Sequence, residues 1–272
     1  NYNYNVYKYD MAPTFTPDGR ILQVEYASAA AELSLPIVAL QVDKETLVLL
    51  TLKNSQSPQN RIILLPAFRE ERLQGPAPSP LAIAMSGVLA DSIALIQVGL
   101  KEASQRLQQL HTPITVLQLA TAMANACQSH CFGGGIRPYG CTLLTCGFST
   151  LGELVVYQTD PSGALVEVTD RSRESSGPFL RWLAGGSTTV QRKLRKRFES
   201  SLPKLQRTTP TPLLQVVALV GQTLIKETQK LDQGEKKQGA TPSTVLEVVV
   251  MNRKLGCYRL SRREINSIMA RV

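Results

Sequence analysis

The residues best suited to chemistry are Cys127, His130 and Cys131, whose spacing puts them within about one turn of a predicted helix. Thiolate and imidazole groups bind zinc, and a Cys–His pair is the core of thiol hydrolases. A structural zinc site needs about four ligands. The other candidates in the sequence are His111, Cys141 and Cys146. Because small thiols along the apolar side of a helix ordinarily serve as packing residues, the sequence predicts no metal, no cofactor and no Cys–His nucleophile here.

A run of three glycines, Gly133-Gly134-Gly135, has the composition of a phosphate-binding loop. It follows a predicted helix rather than a strand, however, and it lacks the Lys-Ser or Lys-Thr pair of such loops. Glycine often ends a helix, so we expect this run to stop the helix that carries Cys127 and His130.

Positive charge is concentrated in two segments of a chain whose net charge is +9. The first segment contains Arg192, Lys193, Arg195, Lys196 and Arg197, and the second contains Lys226, Lys230, Lys236 and Lys237. Aromatic residues do not alternate with these cations, so we predict no specific nucleic-acid partner. We expect segment 192–197 to form the solvated face of a helix, with a nuclear-import address as a further interpretation of the same run.

Composition places the chain among ordinary globular proteins. It has 272 residues, of which 43% are hydrophobic and 19% charged, and no apolar run reaches the ~20 residues that span a bilayer. The tyrosine-rich start lacks the layout of a signal peptide. Five cysteines without framework-like spacing indicate free thiols. These features predict an intracellular protein without membrane partners.

A turn and a helix form the first clear elements. In Thr16-Pro17-Asp18-Gly19 the proline and the glycine occupy the second and fourth positions of a type I turn. Ile21 to Leu33 is then predicted as a helix, because apolar residues recur at spacings of three and four. That stripe consists of Leu22, Tyr26, Ala29, Ala30 and Leu33.

Short apolar runs that predict strands alternate with longer helical patterns. Strands are predicted at Ile37 to Val42, Thr46 to Leu52, Arg61 to Leu65, Leu81 to Met85, Cys141 to Phe148, Glu153 to Gln158, Ala164 to Thr169, Val245 to Met251 and Cys257 to Leu260. Helices are predicted at Leu89 to Leu110, Leu117 to Cys131, Phe179 to Leu183, Gln191 to Leu202, Leu213 to Leu231 and Arg262 to Met269. So many strands need two stacked sheets, so we predict an α+β fold, a four-layer α/β/β/α sandwich in one domain over 1–272, with 68–80 as an exposed insertion.

The N-terminal segment closely resembles a family signature. Tyr9-Asp10, then Phe15-Thr16-Pro17-Asp18-Gly19-Arg20, then Gln23-Val24-Glu25-Tyr26-Ala27 match the start of proteasome alpha-type subunits. Further segments agree in order, namely 85–87 with 90–91, 135–140, 157–163 and 247–260. The resemblance spans nearly the whole chain and implies the N-terminal-nucleophile hydrolase type of α/β/β/α sandwich.

Enzymes of that type use a Thr, Ser or Cys at a free N-terminus, where the α-amino group acts as the base. The matching position here falls around Ser34-Leu35, after more than thirty residues of chain. The alternative, a self-processing hydrolase, would require cleavage before Ser34. We therefore predict that the protein is non-catalytic.

The resemblance also implies a role and partners. It implies a ring component of the 20S core, part of a threonine-type endopeptidase complex that carries out ATP- and ubiquitin-dependent protein degradation. The implied partners are other alpha subunits in a heptameric ring, beta subunits and regulatory-particle activators. The implied location is the cytoplasm and the nucleus.

Site residues follow from the same resemblance. Residues 1–20 form the implied gate segment, with gate residues Tyr9, Asp10, Pro17 and Tyr26. The alternatives are turn chemistry for Pro17 and helix packing for Tyr26. Arg61 stands where the family carries a pocket lysine that receives the C-terminal carboxylates of activators, and the alternative is a solvated surface arginine.

Overall fold

A computed structural model describes eight segments of the chain: 14–55, 59–65, 80–132, 136–168, 179–186, 188–205, 212–234 and 244–270. Two five-stranded antiparallel sheets form its centre. The predicted insertion 68–80 and the glycine run 133–135 lie outside the described residues, apart from Pro80.

The first sheet has the strand order β10-β9-β2-β1-β8. Its strands are β1 (Ile37–Asp43), β2 (Thr46–Asn54), β8 (Phe179–Ala184), β9 (Thr244–Asn252) and β10 (Gly256–Arg259). The β1–β2 hairpin turns through the charged residues that separate the two apolar runs in the sequence, and Ile37 pairs with Thr51. Both this hairpin and the predicted β9–β10 hairpin are confirmed.

The second sheet has the strand order β3-β4-β5-β6-β7. Its strands are β3 (Ile62–Leu65), β4 (Leu81–Gly87), β5 (Cys141–Phe148), β6 (Leu154–Thr159) and β7 (Leu165–Glu167). The β6–β7 hairpin closes through Asp160-Pro161-Ser162-Gly163, where the Gly163 N–H donates to the Asp160 carbonyl over 3.0 Å. That bond is the one expected of the predicted turn.

Helices cover the outer faces of both sheets. They are α1 (Leu22–Glu32), α2 (Leu89–Leu110), α3 (Val116–Phe132), α4 (Thr188–Leu205), α5 (Pro212–Gly234) and α6 (Arg262–Ala270). Helices α4, α5 and α6 share a core with the first sheet, while α2 and α3 share one with the second. A third core lies between the sheets. The predicted α+β sandwich of four layers is therefore confirmed among the described residues.

Residues of β1 explain why the central strands are continuous apolar runs. Ile37 and Ala39 lie in the core between the sheets, whereas Val38 and Leu40 lie in the core beneath the helices. Alternate side chains of a strand point to opposite faces, so a strand buried on both faces needs apolar residues at every position.

The helix predicted at Phe179 to Leu183 is wrong, because this segment is strand β8, paired with β1. Trp182 lies in the core between the sheets and Leu183 in the core beneath the helices. Side chains that alternate between two faces are typical of a strand. In a mostly apolar run of only five residues, however, the sequence pattern of a strand cannot be distinguished from that of a helical turn. The segment is a strand because it pairs with the free edge of β1.

Candidate functional site

The turn that precedes α1 is held by three hydrogen bonds. The Gly19 N–H donates to the Thr16 carbonyl over 2.8 Å, and the Thr16 N–H donates to the Arg20 carbonyl over 2.8 Å. The Arg20 N–H donates to Thr16 Oγ1 over 3.0 Å. Gly19 adopts a φ of +76°, a conformation that glycine reaches without strain. Pro17 is exposed at the second position of this turn, as its role in the predicted turn requires.

An ion pair joins the turn to the helix. Arg20 Nε lies 2.7 Å from Glu25 Oε1, and the second guanidinium nitrogen bonds the other carboxylate oxygen. The hydrogen bond from Arg20 lowers the pKa of Glu25. Glu25 also lies in the first turn of α1, where the helix dipole favours a negative charge. This pair was not predicted from the sequence, although both residues belong to the signature segment 15–27.

The apolar stripe predicted for α1 does not face the core. Ala27 and Ala31 are the buried residues of the helix, while 52% of Tyr26 and 85% of Leu33 are exposed. Small residues let α1 lie close to β4 and β5. Tyr26 and Leu33, two of the larger members of the stripe, are left on the surface, so the apolar spacing identifies the helix but not its buried face.

A buried carboxylate at the start of α2 anchors the segment beneath α1. Asp91 Oδ2 accepts from Arg137 Nη1 over 2.6 Å, and Asp91 Oδ1 accepts from Arg137 Nη2 over 2.7 Å. The Gly140 N–H also donates to Asp91 Oδ2 over 2.8 Å. The hydrogen bonds from Arg137 and Gly140 outweigh burial and lower the pKa of Asp91. This group therefore contributes stability above the ordinary carboxyl pKa, and the contribution is lost as the pH falls through the lowered value.

Gly87 lies where three chain segments meet. Its φ is +112°, and a Cβ there would lie 2.3 Å from the Gly140 carbonyl oxygen and 3.1 Å from the Ala31 Cα. The next residue, Val88, donates its N–H to the same Gly140 carbonyl over 2.9 Å. Segments 85–91 and 135–140, which resemble the family in sequence order, thus converge beneath the C-terminal half of α1.

Ser34 lies in the junction between α1 and β1. Its Oγ is 2.7 Å from Ser86 Oγ and donates to the Ala31 carbonyl over 3.1 Å. The Gly186 N–H donates to the Ser34 carbonyl over 2.5 Å. The nitrogen of Ser34 is a peptide nitrogen that continues from α1, so it cannot act as a free amine base.

Arg61 is held at the same junction. Its Nη1 donates to the Leu35 carbonyl over 2.9 Å, and only 9% of the residue is exposed. The alternative of a solvated surface arginine is therefore wrong. Burial lowers the pKa of Arg61 to about 10, against the opposing effect of Glu247, so the guanidinium stays charged at neutral pH.

Glu247 on β9 ties the start of β3 to the first sheet. Its Oε2 accepts from the Arg61 N–H over 2.9 Å, and its Oε1 lies 3.2 Å from Arg259 Nη2. Arg259 on β10 also donates to the Ile62 carbonyl. Burial raises the pKa of Glu247, opposed chiefly by the backbone hydrogen bond from Arg61 and the charge of Arg259. We call Glu247, Arg61 and Arg259 the inter-sheet charge cluster.

Cys127 and Cys131 are buried on α3, as the packing interpretation predicted. The Cys131 thiol donates to the Pro161 carbonyl over 3.2 Å, and burial raises the pKa of both thiols. His130 stacks on Tyr139 with ring centroids 4.3 Å apart. Within the described segments, no group of three or more metal-binding side chains comes together.

The structure brings some of the predicted site residues together. Pro17 and Tyr26 belong to one turn–helix unit, and Arg61 contacts the other end of that unit at Leu35. Tyr9 and Asp10 lie outside the described residues. In the part of the chain that the structure describes, no helix is long and apolar enough to cross a membrane.

Comparison with known proteins gives a consistent family. A family model for proteasome subunits matches residues 79–171, and a model for the N-terminal signature of A-type proteasome subunits matches residues 9–30. The second match covers the turn and most of α1. The first match includes Gly87, Asp91 and Arg137, the residues that support the base of that helix.

Relatives from distant organisms agree. The chain is 29% identical to the alpha type-7-B proteasome subunit of Arabidopsis thaliana over 97% of this chain and 92% of the relative. It is 34% identical to the alpha type-7 proteasome subunit of Dictyostelium discoideum over 64% of this chain and 68% of the relative. It is 36% identical to the alpha proteasome subunit of Archaeoglobus fulgidus, where the match spans 58% of this chain and 61% of the relative. With the alpha N-terminal signature on its first turn and helix, the chain belongs to the proteasome alpha-subunit family.

Proposed function

We propose that this protein is a non-catalytic alpha-ring subunit of the 20S proteasome core, a threonine-type endopeptidase complex of ATP- and ubiquitin-dependent protein degradation. The observation that carries the proposal is the outward apolar face of α1, where Tyr26 and Leu33 are exposed in the separate chain. Apolar residues aligned on a helix that bears the alpha signature fit an interface with a neighbouring ring member. The proposed partners are other alpha subunits and the beta subunits.

We also propose that the sandwich is of the N-terminal-nucleophile hydrolase type with its catalytic position disabled. The family supports this fold type, and the position that matches the nucleophile falls around Ser34-Leu35, just before β1. The Ser34 hydroxyl contacts the Ser86 hydroxyl and backbone carbonyls, so a base that could accept its proton is not among these neighbours. Cleavage before Ser34 would also have to break the chain between α1 and β1.

Imaging and covalent labelling of the purified native complex test both parts. Negative-stain images should show a four-ring barrel that contains this chain. An epoxyketone probe for N-terminal threonine should label other chains and leave this one unlabelled. Stoichiometric labelling of this chain would overturn the non-catalytic assignment, and its absence from every barrel would overturn the ring assignment.

The turn at Pro17, the helix α1 and the residues before them are proposed to form part of a pore gate, with Tyr9, Asp10, Pro17 and Tyr26 as gate residues. The support is the signature match over residues 9–30 and the rigid turn that the Thr16 hydrogen bonds create. The family also supports the proposal that the complex works in the cytoplasm and the nucleus.

Deletion of residues 1–10 should raise peptide hydrolysis by the assembled particle, because a short polar segment at a pore restricts entry. The measurement is the rate of fluorogenic peptide cleavage at equal particle concentration, checked by native gel. An activator that opens the pore should remove the difference between the deletion and the wild type. An unchanged basal rate in a fully assembled particle would contradict a gating role for these residues.

Arg61 is proposed to receive the terminal carboxylate of an activator. The guanidinium remains charged, and it can form two parallel hydrogen bonds to a carboxylate. A carboxylate bound to Arg61 would contact the same guanidinium that donates to the Leu35 carbonyl. Docking at Arg61 would therefore reach the junction at the end of α1 directly.

Substitution Arg61→Met should weaken activator binding at this pocket by about ten-fold or more, which corresponds to the loss of a charge-assisted hydrogen bond of about 1.5–3 kcal/mol. Arg61→Lys keeps the charge and should cost less. The measurement is activator affinity for assembled particles whose other pockets are disabled. Lys44→Met, which removes an exposed cation in the β1–β2 turn, is the control and should bind normally. Equal affinity for Arg61→Met and wild type would leave Arg61 with a packing role only.

A further inference from the structure

Helix α4 has one apolar side and one strongly basic side. Val190, Leu194 and Phe198 recur every four residues and are buried in the core that α4 shares with the first sheet and α5. This spacing keeps one face of the helix against the core. The orientation of α4 is therefore fixed by packing, and the side chains between these residues are directed away from the core.

Four cations lie on the exposed side within five positions: Arg192, Lys193, Arg195 and Lys196. Their neighbour Arg197 is engaged, because its Nη2 lies 2.9 Å from Glu227 Oε1 on α5. The other ion pairs found among the described residues use Arg20, Arg137, Lys254 and Arg259. We call Arg192, Lys193, Arg195 and Lys196 the basic face of α4.

The basic face opposes the stability of its own helix. Arg192 and Lys196 are four residues apart, and Lys193 is four residues from Arg197, so like charges are neighbours along the helix surface. Glu199, four residues after Arg195, offsets only part of this repulsion. A cluster of like charges that destabilises its own helix indicates that an anion outside the helix binds to it.

We infer that the basic face of α4 docks an acidic segment of another polypeptide. The helical rise of 1.5 Å per residue puts Arg192 and Lys196 about 6 Å apart along the axis. Side chains at that spacing meet a short run of aspartates or glutamates in an extended chain or on a helix. Bound carboxylates would relieve the repulsion between these cations.

The composition of the helix favours a polypeptide over a nucleic acid. In α4 the one aromatic residue is Phe198, and it is buried, so the basic face offers no ring on which a base could stack. The cations also cover little more than one helical turn, whereas nucleic-acid binding draws on cations spread along the backbone.

Fluorescence anisotropy on the purified full chain tests the inference. The probe is a labelled peptide with a run of consecutive glutamates, and its glutamine version is the probe control. The test variant replaces Arg192, Lys193, Arg195 and Lys196 with glutamine. The matched control replaces Lys44, Lys101, Arg262 and Arg263, which are exposed cations elsewhere, with glutamine. Both variants lose the same total charge, so they separate the local face from the net charge of the chain.

The test variant should bind the glutamate peptide at least about ten-fold more weakly than wild type at low salt, and the matched control should stay within about two-fold. High salt should reduce wild-type binding to the level of the test variant. Thermal unfolding should show that the test variant is folded and no less stable, since it loses a repulsion. Failure of wild type to bind, equal loss in both variants, or tighter binding of a duplex DNA of similar length would each overturn the inference.

Discussion

The substitution Glu247→Ala is expected to destabilise the chain by about 3–5 kcal/mol, the range found when one partner of a buried ion pair is removed. Alanine would leave the Arg61 N–H without its carboxylate acceptor and Arg259 without its counter-charge. Both groups are at the seam where β3 meets the first sheet. The measurement is the free energy of unfolding from urea denaturation of the isolated chain.

A surface ion pair supplies the control. Glu45 lies 3.3 Å from Lys254, and both side chains are substantially exposed. Glu45→Ala should therefore cost at most about 1 kcal/mol, since exposed pairs contribute little. A loss for Glu247→Ala as small as that for Glu45→Ala would show that the inter-sheet charge cluster does not hold the sheets together.

The pH dependence of Glu247 has a definite sign. Burial raises its folded pKa above the unfolded value, so the folded state binds this proton more tightly. Stability from this group therefore rises as the pH falls through the folded pKa, and it is fully present below the unfolded pKa. Glu247→Gln keeps one oxygen acceptor without the charge and should cost less than Glu247→Ala.

Alternation and turn chemistry were sufficient to predict most of the sandwich. The β1–β2 hairpin is marked by two apolar runs split at Asp43-Lys44-Glu45, and the β6–β7 hairpin by Asp160 to Gly163. These signals are local, because each depends on residues adjacent in the sequence. Long amphipathic helices such as α2 are equally local, since a sustained helical period identifies them.

The sequence did not predict the buried face of α1 or the strand β8, because tertiary contacts determine both. The helical period of α1 is correct, but its buried residues are the small Ala27 and Ala31, and Ala31 lies against Gly87. A pattern of apolar residues cannot distinguish a face directed at the chain's own core from one directed at a partner. For β8 the missing information was the pairing edge offered by β1.

The candidate site was predictable only through the resemblance. Arg61 was selected by its alignment with a family position, and nothing in the local sequence indicates that its partners are Leu35 and Glu247. Glu247 is 186 positions from Arg61 along the chain. The pair of Asp91 and Arg137 was likewise visible only as two matching motifs. Contacts between residues so far apart in the sequence depend on how the two sheets pack, which no local pattern indicates.

These long-range contacts meet at the junction after α1. Gly87 supports the base of the helix, Ser34 bonds Ser86, and Arg61 holds the Leu35 carbonyl. Residues of β4 and the residue that precedes β3 therefore help to determine where α1 lies. A change that displaces this base should alter the position of the proposed gate without touching the gate residues themselves.

The substitution Gly87→Ala is the sharpest test of that link. Its Cβ would lie 2.3 Å from the Gly140 carbonyl oxygen, and its φ of +112° disfavours any side chain. Backbone strain of about 1–3 kcal/mol and overpacking of about 1–3 kcal/mol together predict a loss of about 3 kcal/mol or more. Unfolding by urea measures the loss, and peptide hydrolysis by particles that still assemble measures the effect on the gate.

Gly256→Ala is the matched control, because Gly256 also has a positive φ, +82°, yet an added Cβ there meets nothing within 4 Å. It isolates the cost of the left-handed backbone, which is about 1–2 kcal/mol. Gly87→Ala should exceed it by about 2 kcal/mol, and only Gly87→Ala should raise basal hydrolysis by displacing α1. Equal losses for the two variants would mean that the contact with Gly140 yields easily. A large loss without a change in hydrolysis would separate the stability of this base from the gate.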